Sequence, residues 1–202
     1  MMKLHYLPGA CSLGDHIVLE WIGQPYETCR VPRGEPRTAN LLAMNPSGQV
    51  PVLEEDGWSL TENVAILNYL ADRFPEAKLG GDGARGRAEV NRWLAFLNAE
   101  VHPAFKPLFA PQRFLANEAQ HANLQCKARE RLRALFERLD AQLADRDWLT
   151  GTRSIADPYL FVMLLWAPGR DVDLAGLDRL AAFSTRMRED AGVLAAMQTE
   201  GL

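Results

Sequence analysis

Pro8-Gly9-Ala10-Cys11-Ser12 joins a short apolar stretch, Lys3-Leu4-His5-Tyr6-Leu7, to a segment in which Leu13, Ile17 and Trp21 recur on one face at helical spacing. It reads as a strand that turns into a helix, with a cysteine at the junction. Ser12 is a candidate N-cap with Asp15 three residues on, and Gly23 closes the segment. A thiol placed there meets the free N–H groups of a first helical turn, which favour a thiolate, whether that of Cys11 or that of a bound thiol. The same pattern also suits a small cysteine packed at a tight turn.

Beyond the junction, Lys3–Leu7, Leu13–Ile22 and Tyr26–Val31 read as strand, helix, strand. Pro32, Gly34 and Pro36 mark residues 32–39 as loop. Asn45-Pro46-Ser47-Gly48 is a turn, followed by a strand over Gln49–Glu54. Asp56-Gly57 then predicts a tight hairpin into Trp58–Leu60. Thr61-Glu62-Asn63 opens a helix with Val64, Leu67, Leu70, Ala71 and Phe74 on one face, stopped by Pro75. The order is βαβ followed by ββα. Residues 76–86 carry four glycines and mixed charge, the composition of a linker. The division is a first domain at 1–78, a linker at 79–86 and a second domain at 87–202. Nothing in the second domain reads as strand. Val90, Trp93, Leu94, Leu97 and Val101 make one helix, and the apolar positions from Leu124 to Leu143 a long amphipathic one. Ser154-Ile155-Ala156-Asp157 is a capping-box pattern ahead of Tyr159–Ala167, an apolar run suited to a helix buried in a bundle.

Composition narrows the function classes. The 202 residues are 48% hydrophobic, enough for a full core, and 22 basic against 26 acidic residues give a net charge of −4. No Lys/Arg block marks a nucleic-acid surface. The longest apolar run, Leu160–Ala167, is too short to cross a membrane, and the N-terminus lacks the charged and apolar regions of a leader. Cys11, Cys29 and Cys126 form neither a C-x-x-C pair nor an even set, which fits a reducing, cytoplasmic setting. His5, His16, His102 and His121 show no metal-ligand spacing, so no metal is expected.

Five stretches, KLHYLPGACSLGDHIVLE, NPSGQVPVL, LTENVAILNYLAD, EVHPAFKPLF and IADPYLF, occur in this order across essentially the whole chain. In them the sequence resembles the cytosolic glutathione S-transferases, and among these the bacterial beta class. The resemblance implies an α/β thioredoxin-like N-terminal domain, an all-α C-terminal helical bundle, a homodimer, glutathione as co-substrate and a small hydrophobic electrophile as second substrate. Gly14 stands where dithiol thioredoxin-type proteins carry a second cysteine.

The resemblance also implies roles. Val50 and Pro51, joined by a cis peptide, would pair with the glutathione backbone much as an added strand does. Glu62 would hold the γ-glutamyl amine, and the helix opened by Asn63 would hold the carboxylate. A small residue is common at position 63 in the family. Cys11, Ser12 and His102 are the candidate catalytic residues, with Ser12 equally suited to a pure capping role. His102 has the pKa range for proton exchange with a sulfur, although Pro103 replaces a lysine common in the class. Tyr6 is assigned to packing, and Arg33 or Arg37 could meet the glycyl carboxylate. Phe105, Phe109 and Trp166 are candidates for the electrophile pocket. Two reactions are compatible with the set: conjugation of the glutathione thiolate, and thiol–disulfide exchange through Cys11. The alternative is a non-catalytic binding or scaffold protein of the same fold, which would have no need of these residues together.

Overall fold

The computed structural model describes residues 1–202. Its first third is a four-stranded sheet of β1 (Met2–Tyr6), β2 (Tyr26–Arg30), β3 (Val52–Glu55) and β4 (Trp58–Thr61), in the order β2-β1-β3-β4. The β1–β2 pair is parallel, with α1 (Ser12–Ile22) as its crossover, and the other two pairs are antiparallel. Asp56 and Gly57 both have positive φ, at 49° and 83°, as a two-residue hairpin loop requires. Leu53 faces Leu4 across the central pair, and both are fully buried.

One short helix has no counterpart in the sequence reading. α2 (Ala39–Met44) follows the loop, and the Thr38 hydroxyl accepts from the Leu41 N–H at 3.2 Å to start it. Its six residues are too few for a visible 3.6-residue period. α3 (Asn63–Arg73) ends before Pro75 as expected and buries Ile66, Leu67, Leu70 and Ala71. α4 (Gly83–Phe96) starts inside the 79–86 stretch read as linker, so the last four residues of that stretch are its first turn.

The expected helix over 90–101 is likewise interrupted. Residues Leu97–Val101 form a π turn, in which the His102 N–H reaches the Leu97 carbonyl five residues back, and α5 (His102–Phe109) follows. Pro103 has no N–H to donate at this point, and a π turn places its flanking side chains out of ordinary helical phase.

α6 (His121–Gln142), α7 (Ala156–Trp166), α8 (Asp178–Glu189) and α9 (Ala191–Glu200) complete the bundle. α7 is buried on all sides through Leu164. Ile155 occupies the N-cap position, and Ser154 and Asp157 brace the helix start. The Ser154 hydroxyl accepts from the Ala156 N–H at 3.3 Å, Asp157 Oδ2 accepts from the Ser154 N–H at 2.7 Å and from the Ser154 hydroxyl at 2.9 Å, and Oδ1 accepts from the Leu149 N–H at 2.9 Å. The Asp157 N–H meets the Ser154 carbonyl and not its hydroxyl. α1 packs against α3 on one side and against α7 and α9 on the other, so one apolar core runs through both halves of the molecule. No helix is long and apolar enough to cross a membrane.

Candidate active site

The β1–α1 loop delivers Cys11 to the start of α1. Gly9 has φ +69°, a left-handed conformation that costs a residue with a Cβ about 1 kcal/mol or more. The loop is held by two helices of the second half of the chain: the Gly9 N–H donates to Glu200 Oε2 at 2.9 Å, and its carbonyl accepts from Trp166 Nε1 at 2.7 Å.

Cys11, not Ser12, is the capping residue of α1. Ser12 is fully buried, and its hydroxyl accepts from the Leu7 N–H at 3.3 Å and donates to the Leu7 carbonyl at 3.4 Å. It braces the loop from behind and does not reach the cleft lining. Asp15 makes no capping box with it. The Asp15 carboxyl is fully buried, burial holds it well above the usual carboxylate range, and it accepts from Asn63 Nδ2 at 3.0 Å.

Cys11 lines a cleft of about 210 Å³ together with Val50, Pro51, Glu62, Asn63 and His102. The Val50–Pro51 peptide is cis, and the Cys11 thiol donates to the Val50 carbonyl at 3.8 Å. Burial pushes the thiol up to about 12, and the Asp15 carboxyl adds to this, while the N–H groups of Cys11 and Ser12 pull the other way. Burial wins over the helix end. A pKa near 12 leaves on the order of one thiolate in 10⁵ at pH 7. The resting Cys11 is therefore a thiol and a hydrogen-bond donor, which corrects the thiolate expected from its place at a helix start.

Glu62 sits at the N-terminal end of α3 with φ 71°, exposed, and no side chain caps the first turn behind it. That turn presents free N–H groups to the cleft. The Asn63 side chain is 6% exposed, and its amide donates to the Cys11 carbonyl at 2.9 Å as well as to Asp15. Both amide protons are occupied, so Asn63 clamps α3 to the cysteine loop, while its buried Oδ1 has no partner.

His102 stands opposite on α5. The Tyr159 hydroxyl donates to Asn98 Oδ1 at 3.1 Å, so its oxygen takes the His102 Nδ1–H at 2.7 Å and Nε2 is left as the acceptor nitrogen. Burial and the nearby Lys106 bring His102 down to about 4, so the imidazole is neutral at pH 7. Asn98 and Tyr159 join the site with no local sequence signal for this role. Tyr159 belongs to the IADPYLF stretch but counted there only as apolar, and Asn98 meets it through the π turn, which no local pattern announces.

A wider pocket of about 770 Å³ adjoins the cleft, lined among others by Phe109 and Trp166. Phe105 is fully buried behind them, with its ring centroid 5.4 Å from that of Trp166, so it shapes the wall without facing the opening. Arg33 and Arg37 both reach this pocket. Tyr6 is buried, its hydroxyl donating to the Thr199 carbonyl at 3.4 Å, in keeping with a packing role. The three cysteines are unpaired, and no group of three or more His, Cys, Asp or Glu side chains could hold a metal ion.

Family models for the glutathione S-transferase N-terminal and C-terminal domains match residues 16–78 and 87–190. The chain belongs to the glutathione S-transferase family. A glutathione S-transferase of Xanthomonas campestris pv. campestris is 52% identical over 203 residues, covering 100% of both chains. The solved glutathione S-transferase of Xylella fastidiosa superposes with a TM-score of 0.96 at 47% identity, again over 100% of both chains. A sphingomonad glutathione S-transferase solved in complex with glutathione gives a TM-score of 0.88 at 37% identity over 99% of each chain. The solved relatives include a bacterial beta-class transferase, the class to which the five sequence stretches point. The N-terminal domain is the thioredoxin-like unit of this family and the C-terminal domain its helical unit. The chain is thus a transferase and not the scaffold alternative.

Proposed function

We propose that the cleft at Cys11 binds glutathione and activates its thiol for attack on an electrophile held in the adjoining pocket. The observation that carries this reading is the convergence on one cleft of the Cys11 thiol, the Val50 carbonyl beside a cis proline, the uncapped start of α3 and a neutral histidine with a free acceptor nitrogen. Val50 pairs with the cysteinyl backbone of the tripeptide. The first turn of α3 takes the γ-glutamyl carboxylate and Glu62 its amine, while Arg33 or Arg37 meets the glycyl carboxylate.

Magnitudes separate the roles at the sulfur. A glutathione thiol near 9 cannot rest its proton on an imidazole near 4, because that transfer costs about 7 kcal/mol. His102 Nε2 therefore passes the proton on to solvent, and the thiolate is held by the Cys11 S–H and the N–H groups at the start of α1. Attack then forms the carbon–sulfur bond, and the leaving group departs with its electron pair. Thiol–disulfide exchange is the second reaction open to Cys11, and it requires Cys11 itself to lose its proton.

We also place the domain division at 1–78, 79–86 and 87–202, and read the protein as a cytoplasmic homodimer on the strength of the family and the three free cysteines. Glutathione titration by calorimetry tests the cleft. Glu62→Ala should raise the dissociation constant at least about tenfold, since a charge-assisted contact contributes about 1.5–3 kcal/mol. Unchanged affinity would remove Glu62 from the site.

A further inference from the structure

The pocket beside the cleft has an apolar wall and a cationic rim. Phe109, Leu165 and Trp166 supply the wall, and Arg33, Arg37, Arg113 and Arg170 supply the rim. No aspartate or glutamate lines it. In a chain of net charge −4, four cations around one opening are a local reversal of the overall balance.

None of the four charges is neutralised. Arg37 donates to the Pro32 carbonyl at 2.9 Å and Arg33 to the Pro8 carbonyl at 3.4 Å, both uncharged acceptors. The Arg170 guanidinium lies 4.9 Å from the Phe109 ring centroid, and none of the four enters an ion pair. Asp171, the residue after Arg170, is bonded to Arg129 instead, at 3.4 Å.

Glutathione accounts for only part of this charge. If it binds as proposed above, its γ-glutamyl carboxylate is taken by the start of α3 and its glycyl carboxylate by the Arg33 and Arg37 side. Arg113 and Arg170, on the helical domain, then have no glutathione group to meet. We infer that the second substrate is an aromatic electrophile bearing an acid group, its ring against Phe109 and Trp166 and its acid between Arg113 and Arg170. This inference rests on the glutathione reading of the neighbouring cleft. For an aryl halide of this class the glutathione sulfur bonds to the ring carbon, the carbon–halogen bond breaks, halide leaves with the bonding pair, and the thiol proton goes to solvent.

The test compares 4-chloro-3,5-dinitrobenzoate with its uncharged methyl ester. For each compound kcat/KM is divided by the rate constant of its uncatalysed reaction with glutathione, which removes intrinsic reactivity. The wild-type protein should favour the acid by about tenfold or more, mostly through KM, and the preference should shrink as ionic strength is raised to about 0.5 M. Arg113→Gln and Arg170→Gln should each lower the acid-to-ester ratio by up to about fivefold, the range of an exposed ion pair. Both side chains are on the surface, so the variants keep the fold. Conjugation of the ester with no preference for the acid, or a preference that survives in the double variant, would overturn the inference and leave the transferase reading intact. Conjugation of neither compound would remove both.

Discussion

At the scale of single residues, the outcome at Cys11 turns on two opposed effects of comparable origin. The N-terminal end of α1 stabilises an anion, but the effect of a helix end is about 0.3–1 kcal/mol, up to about 2 in partly buried settings. Enclosing the thiol raises it from 9.0 to about 12, which corresponds to about 4 kcal/mol against the thiolate. In the ligand-free protein Cys11 should therefore react with iodoacetamide far more slowly than the exposed Cys126 at pH 7.5, with a rate that climbs tenfold per pH unit through pH 10. A plateau below pH 9 in peptide-resolved labelling would show that the helix end prevails. The chemistry of the variant follows the same logic. Cys11→Ala should abolish glutathione-dependent reduction of small mixed disulfides, which needs the covalent sulfur, and retain a measurable fraction of conjugation, which does not. The sequence made the position of Cys11 legible through strand, glycine and helix. It could not supply the protonation state, which depends on the Asp15 carboxyl and on packing from α3 and α7.

At the scale of elements, what was legible tracks how local the determining signal is. The Asp56-Gly57 hairpin and the Pro75 stop of α3 needed only neighbouring residues and appear where the sequence puts them. The break between α4 and α5 did not, because a π turn is a compromise between Pro103 and the packing of Asn98 and His102 on Tyr159. The cap of α7 lies between these cases. Its sequence pattern was readable, but its full set of partners includes the Leu149 N–H from the preceding loop. That third bond predicts an order of effects. Asp157→Ala leaves three buried donors without an acceptor and should cost about 3 kcal/mol or more, whereas Ser154→Ala removes one hydroxyl and should cost about 1 kcal/mol. Denaturant unfolding of both variants checks the order, and equal costs would mean that the Leu149 contact adds nothing. Burial also raises Asp157 from 3.8 to about 6. Since the native state then binds a proton that the unfolded chain has released, this group favours folding below pH 4 and loses that contribution as pH rises through 6.

At the scale of the whole molecule, the last helix meets the loop that carries Cys11. Glu200 is two residues from the C-terminus and 1% exposed, with Oε1 3.0 Å from His16 Nδ1 on α1 and Oε2 accepting from the Gly9 N–H. His16 is itself fully buried, so neither group has water to fall back on. No local pattern in the sequence could pair residues 184 positions apart, and a glutamate near a chain end reads as solvated. Its physical effect is to make the conformation of Pro8-Gly9-Ala10 depend on the seating of α9, so stability and the proposed glutathione site are coupled through one carboxylate. Glu200→Ala should destabilise the protein by about 2–6 kcal/mol, because it takes the acceptor from two buried contacts at about 1–3 kcal/mol each. It should also weaken glutathione binding under conditions where the variant is fully folded, because the Gly9 N–H is left without an acceptor and the loop that carries Cys11 loses one of its two ties at Gly9. Glu200→Gln separates the two effects, since its amide oxygen can still accept from Gly9 while an amide group replaces the carboxyl oxygen that faces His16. Binding restored close to wild type in the Gln variant, with stability still reduced, is the expected result. If the Ala variant, measured well below its melting temperature, binds glutathione as tightly as wild type, then the contacts of Trp166, Ser12 and Asn63 suffice to fix the loop and the C-terminal helix serves only the fold.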